Sequence, residues 1–293
     1  MYHPEGVFPA MPVPFKKNGD LDEASLKELI KYFEGTGVNG LLIMGTAGEF
    51  AMLSEAERRK VIDIAVDTAK KLDLIVNTGY ASTRETVTLT KYAKDAGADA
   101  AIVVEPYFYH PSPGGMAKHF LTVADRADFP VMAYNIPPFA GNFLTPDIMD
   151  EFAKDERIVG IKDSEGSPLK LLEFIARAPR NFSVMVGVDG LASYGIAMGA
   201  KGMMIGGASM APGLCVEMYD SLKKGDHKKA FDLQNRFSSV IKAMMVGTFP
   251  AAIKYAMDVR KVPAGYVRAP LESLSGPQKK EVERYLRQAK VIK

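Results

Sequence analysis

The chain predicts an α/β fold, a (β/α)8 TIM barrel with a C-terminal helical domain, and three observations carry that prediction. Eight short apolar runs, several of them β-branched, recur through the first two-thirds of the 293 residues. Amphipathic stretches separate them, and most runs start roughly 20–35 residues apart, the spacing of βα units rather than of hairpins. Beyond residue 222 the strand-like runs stop and only helical patterns continue.

Taken in order, the runs cover 7–13, 40–44, 74–77, 100–104, 131–134, 159–162, 183–187 and 202–205. Short apolar runs closed by polar, Gly-containing clusters read as buried strands leading into loops. Helical periodicity fills 26–33, 55–69, 85–94, 116–127, 146–152, 169–176 and 191–198. The helix starts carry their own signals. Ser54 with Glu57 three residues later is a capping box, and Thr145 before Pro146 is a cap followed by a proline preset for the first turn. Gly97 and Gly199 stand where helices end. A doubly wound sheet would share the alternation, but a Gly-rich dinucleotide turn would then follow the first strand. The first run leads instead into Lys16-Lys17-Asn18-Gly19. The tail is helical at 226–245, 249–259 and 277–290, so the expected domains are a catalytic barrel, 1–222, and a helical domain, 223–293.

Composition narrows the function classes. A chain of this length with 47% hydrophobic residues buries roughly 75% of its unfolded surface, enough for one large core. A net charge of +2 gives no push toward nucleic acid or membranes. The charge is uneven, with 16 basic against 6 acidic residues from 223 onward. The pairs Lys223-Lys224, Lys228-Lys229 and Lys279-Lys280 fall among apolar helical positions, the pattern of solvated helix faces, so no nucleic-acid partner is expected. Cys215 is the only cysteine, flanked by Leu214 and Val216, which excludes an internal disulfide and reads as a core thiol. The histidines, His3, His110, His119 and His227, lack ligand spacing, so no metal is expected. The first residues lack the basic and apolar regions of a signal peptide. The longest uncharged stretch, 202–216, is too short and too rich in Gly and Pro to span a bilayer. A cytoplasmic protein without a membrane partner is the expectation.

In such a barrel chemistry sits at the C-terminal ends of the strands. Lys162 ends the sixth run, after Ile158-Val159-Gly160-Ile161 and before Asp163-Ser164-Glu165-Gly166. An amine there is partly desolvated at the mouth of the core, where it can serve as a nucleophile. Lys201 precedes the eighth run and faces the wrong end. The second run ends in Gly45-Thr46-Ala47-Gly48-Glu49, whose backbone amides form either an anion nest or simply a tight turn. The fifth ends in Tyr134-Asn135-Ile136-Pro137-Pro138; the phenol is either a proton donor and acceptor or a core tyrosine. The fourth ends in Glu105-Pro106-Tyr107-Phe108-Tyr109, aromatics that line a pocket or pack an interface.

Together with the Phe-Pro-Ala-Met-Pro-Val-Pro-Phe segment at 8–15, these motifs resemble the family of dihydrodipicolinate synthase and N-acetylneuraminate lyase. These are class I Schiff-base lyases that act on pyruvate or a related 2-oxo acid. The resemblance spans essentially the whole chain. It implies a barrel with a C-terminal helical domain, assembled as a homotetramer, a dimer of dimers. It also implies Lys162 as the Schiff-base lysine, Tyr134 as proton shuttle and Thr46 as relay hydroxyl. The Thr46 and Ala47 backbone amides, in the substrate-binding loop that Gly45 opens, would cradle the carboxylate, and a backbone carbonyl near Met204 would complete the pocket. The implied partners are a small 2-oxo acid and an aldehyde, with no metal or organic cofactor.

Three positions depart from the pattern. Ala47 stands where the family commonly has a second hydroxyl, a loss worth ~1.5–3 kcal/mol of grip on a charged acceptor. Phe108 stands where the synthases place a relay tyrosine, for which Tyr109 is a candidate stand-in. Phe139 stands where they carry an arginine for the aldehyde's carboxylate. The expected function is therefore a Schiff-base lyase or aldolase with a less charged acceptor, including dehydration of a 2-keto-3-deoxy acid. The alternatives are dihydrodipicolinate synthase of lysine biosynthesis and, from another class, a non-catalytic 2-oxo-acid-binding member.

Overall fold

The structure, a computed structural model, describes residues 2–293. Eight parallel strands form a nearly closed barrel: β1 Gly6–Pro9, β2 Gly40–Ile43, β3 Asp73–Asn77, β4 Ala100–Val104, β5 Val131–Asn135, β6 Ile158–Asp163, β7 Ser183–Val186 and β8 Gly202–Ile205. Their order is β1-β8-β7-β6-β5-β4-β3-β2. The two ends of that order meet: the Asn39 N–H donates to the Val7 carbonyl and the Met11 N–H to the Leu42 carbonyl. The strands are buried almost throughout, which is why they read as unbroken apolar runs rather than as alternations.

Between and after the strands lie α1 Glu23–Glu34, α2 Glu55–Thr68, α3 Thr83–Ala96, α4 Pro113–Ala127, α5 Pro137–Ala140, α6 Pro146–Phe152, α7 Pro168–Arg177, α8 Ala192–Ala197, α9 Gly207–Met210, α10 Pro212–Lys223, α11 His227–Met244, α12 Ala251–Val259 and α13 Gly276–Gln288. The capping box at Ser54 and Glu57 forms, Thr145 caps α6 with Pro146 in its first turn, and Gly97 ends α3 in the left-handed conformation. The first strand is shorter than its apolar run: Pro9, Pro12 and Pro14 lack the N–H that a ladder needs, and only Ala10 continues pairing, as a bridge to Leu42. The uncharged stretch 202–216 is divided among β8, α9 and the start of α10, with Cys215 buried there. Among the described residues no helix is long and apolar enough to cross a membrane.

The chain divides into two compact units, each interrupted in sequence. One comprises the residues up to Gly6 together with Ile75–Met204. It holds β4 to β7 with α3 to α8, and an aromatic file, Phe120, Phe152 and Phe182, packs beneath its helices. The other comprises Val7–Leu74 and Ile205–Lys293. Here α11 packs against both α10 and α13, and Met218, Phe237, Val282 and Leu286 are buried. The lysine pairs of the tail lie on exposed faces.

Candidate active site

The register of β4, β5 and β6 arranges two rows of side chains in the first unit. Val104 pairs with Tyr134 and Tyr134 with Lys162. Paired residues share a face, and successive residues alternate. Tyr134 and Lys162 therefore stand side by side on one face, and Asn135 and Asp163, also paired, stand on the other. Tyr134 is 1% and Lys162 3% exposed. The Lys162 Nζ lies 3.9 Å from the centre of the Tyr134 ring, which holds the amine against a phenol in a nearly dry setting.

Two glycines make room for this pair. A Cβ at Gly160 would collide with the Ser183 carbonyl, so glycine lets β6 lie close to β7. A Cβ at Gly187, just past β7, would stand 2.9 Å from the Lys162 Cε and closer still to Ser164. The lysine stem thus passes over a position where only hydrogen fits.

On the opposite face a polar row lies behind the pair. Glu105 directly follows β4, is fully buried, and its Oε1 accepts the Ile136 N–H at 2.7 Å. The Asn135 side-chain Nδ2 donates to Asp163 Oδ1 at 2.7 Å, and its Oδ1 accepts the Leu144 N–H at 2.8 Å. Burial pushes the Glu105 carboxyl up to about 8 and that of Asp163 up to about 6, the latter opposed by the Asn135 hydrogen bond. Sequence reasoning assigned no role to Glu105, Asn135, Asp163 or Gly187. The available signal was alternation, since a polar residue next to Tyr134 or Lys162 in a buried strand must face the other way and find a partner there.

In the second unit the strand-end loop after β2 folds as a 3-10 turn, Thr46–Gly48. The N–H groups of Gly48 and Glu49 close it onto the Gly45 and Thr46 carbonyls. Met44 and Glu49 bracket the turn with φ of 56° and 54°, left-handed values uncommon for side-chain-bearing residues. Glu49 is held by a buried network. Its Oε1 pairs with Lys254 Nζ at 2.5 Å and its Oε2 accepts the Arg268 N–H at 2.9 Å. The Arg268 guanidinium also bonds the Gly19 and Met52 carbonyls and Glu57, and holds the Glu57 carboxyl down to about 2.

The remaining sequence candidates are placed as follows. Met204 is fully buried within β8. Phe108 and Tyr109 are 80% and 74% exposed and pack edge to face on each other. Phe139, in the short α5 past β5, is exposed too. Of the predicted residues, the first unit brings Lys162 and Tyr134 together, while its loop aromatics stay at the surface. Among the described residues no group of three His, Cys, Asp or Glu side chains is clustered for a metal.

Comparison with known proteins adds to this geometry. The model of the dihydrodipicolinate synthetase family matches residues 3–289. A 4-hydroxy-tetrahydrodipicolinate synthase of Methanothrix thermoacetophila is 37% identical over 92% of this chain and 92% of its own. The protein of the same name from Methanosarcina mazei is 35% identical over 98% and 99%. Among solved structures, YagE of E. coli K12, a family protein crystallised in complex with pyruvate, superposes with a TM-score of 0.95 at 29% identity, over 98% of this chain and 99% of that one. Dihydrodipicolinate synthase from Aquifex aeolicus gives 0.94 at 31%, over 98% of each.

Proposed function

The chain belongs to the dihydrodipicolinate synthetase family, whose members are class I pyruvate-dependent lyases and aldolases, and from that premise we propose that Lys162 is its Schiff-base nucleophile. The amine adds to the ketone of pyruvate or a pyruvate-derived 2-oxo acid, and loss of water leaves an iminium. The iminium nitrogen accepts the electron pair released when a C3 proton departs. The resulting enamine adds to an aldehyde, and hydrolysis returns the free amine; run backwards, the sequence cleaves a 4-hydroxy-2-oxo acid. Tyr134 carries protons at the adduct. The family resemblance assigns Thr46 the relay and the Thr46 and Ala47 amides the substrate carboxylate. The iminium itself supplies the electron sink, so neither metal nor organic cofactor is called on.

The observation that carries this reading is the Lys162 amine 3.9 Å from the Tyr134 ring, both side chains almost wholly buried. Incubation with pyruvate and borohydride, followed by peptide mass spectrometry, tests it: the adduct is expected on Lys162, and no adduct there with any 2-oxo acid would sink it.

Two readings of the acceptor remain, each with its own support. The relatives' names favour condensation with aspartate semialdehyde, the synthase reaction. Ala47, Phe108 and Phe139 favour an acceptor without a carboxylate, since an apolar ring cannot pair with an anion. Pyruvate consumption with aspartate semialdehyde, with uncharged aldehydes, and pyruvate release from 2-keto-3-deoxy acids separate the two. The resemblance also supports a homotetramer, which light scattering checks.

A further inference from the structure

The polar row behind Lys162 and Tyr134 takes no part in the steps above, yet it grips the segment that carries the phenol. The Glu105 N–H donates to the Tyr134 carbonyl at 3.0 Å, and the Glu105 carboxyl accepts the Ile136 N–H at 2.7 Å. One residue therefore holds the β5 backbone on both sides of Asn135. Asn135 in turn ties β5 to β6 through Asp163, the neighbour of Lys162. We propose that Glu105 is a positioning residue that acts as a neutral acid, holding the exit of β5 so that Tyr134 stays in register against Lys162.

The surroundings of the carboxyl argue for the neutral form. Glu105 is fully buried, and neither its Oε2 nor Asp163 Oδ2 has a hydrogen-bond partner among the described residues. The charged groups that face it are acidic: Asp163 at the end of β6 and Glu165 just beyond, both of which disfavour its ionisation. Lys170 on α7 is committed to Glu165 at 2.6 Å. On the loop that Glu105 opens, His110 is engaged with Asn142. Lys162 and Tyr134 belong to the opposite face of the sheet. An ionised Glu105 would be a buried carboxylate without a cation, beside a second one. Its repulsion would fall on the two strand ends that carry the reacting pair. Burial raises this carboxyl to about 8, so the penalty would arise just above neutrality.

The inference rests on the proposed role of Lys162 and Tyr134, and its test keeps the two apart. On the enzyme, pyruvate methyl protons exchange into heavy water through the enamine, so the exchange rate at saturating pyruvate, followed by proton NMR and corrected for the enzyme-free rate at each pH, reads the pair without needing an acceptor. The wild type is expected to lose about tenfold per pH unit above pH 8. Glu105→Gln keeps an acceptor for the Ile136 N–H but cannot ionise, and is expected to lose less than about twofold over the same range. An unchanged alkaline limb in Glu105→Gln overturns the proposal. Should that variant fail to fold, infrared spectroscopy of the wild type decides. A buried carboxylic-acid band that disappears across the same pH range supports the proposal, and no such band at pH 7 overturns it. Absence of exchange and of borohydride labelling in the wild type at every pH would instead sink the Schiff-base reading itself.

Discussion

Lys162 and Lys254 are buried to nearly the same degree, 3% and 2% exposed, but in opposite company. Lys254 is saturated. Its Nζ pairs with Glu49, donates to the Tyr266 carbonyl at 2.6 Å and lies over the Phe15 ring. Burial lowers its amine to about 8, with Glu49 pulling the other way. Lys162 has a phenol ring beside it and, among the described residues, no carboxylate within ion-pair distance; the nearby acids lie on the other face of β6. The difference teaches which buried lysine can react. An ammonium locked to a carboxylate and a carbonyl is a bolt, whereas a covalent nucleophile must offer a lone pair.

Substitution of the two lysines is the strongest way to break that contrast. Lys162→Met is expected to abolish borohydride labelling altogether while leaving the melting temperature unchanged or higher, since it removes a buried amine with no counter-ion. Lys254→Met should keep the label on Lys162. A folded Lys254→Met protein that no longer labels would refute the assignment of roles. Next in size is Tyr134→Phe, which keeps the ring against the amine and deletes only the hydroxyl. Pyruvate methyl exchange should slow by about 10²–10⁴-fold, the usual worth of a positioned acid–base group, with no matching loss of stability in denaturant titration.

The stability cost belongs to the other lysine. Lys254→Met leaves Glu49 buried without its cation and is expected to destabilise by about 3–5 kcal/mol in chemical denaturation. Adding Glu49→Gln removes the stranded charge and should recover most of that loss. A double variant no better than the single would mean that packing against Phe15, rather than the ion pair, is what Lys254 supplies.

This contrast also marks what the sequence could reveal. The strands were legible because burial on both faces leaves unbroken apolar runs, as at 100–104 and 131–134. Lys162 and Tyr134 were legible because each ends such a run. The polar row was not assigned: Glu105, Asn135 and Asp163 are neighbours only through the β4–β5–β6 register, and one residue of slip would turn each to the other face. The pairing of Glu49 with Lys254 joins residues more than 200 positions apart, and nothing local in a basic helical tail separates Lys254 from its solvated neighbours. Within 202–216 the strand at 202–205 was legible as an apolar run, whereas α9 and α10, which open at Gly207 and Pro212, were not.

A third buried base sharpens the comparison with the smallest expected effect. His119 on α4 is 4% exposed; its Nδ1 lies 2.9 Å from the Thr83 hydroxyl, and its Nε2 has no hydrogen-bond partner among the described residues. Like Lys162 it has no counter-ion, and burial lowers its ring from 6.5 to about 4. The unfolded chain takes up the proton as pH falls through about 6.5, whereas the folded chain resists until about 4. The stability contributed by neutral His119 is therefore fully present above pH 6.5 and is lost progressively down to pH 4, up to about 3 kcal/mol. Denaturant titrations of the wild type and His119→Gln between those limits measure it as a difference in slope, because the carboxylates common to both cancel. Parallel slopes would mean that the ring is protonated in the fold, and that a buried base in this protein can keep its charge without a carboxylate.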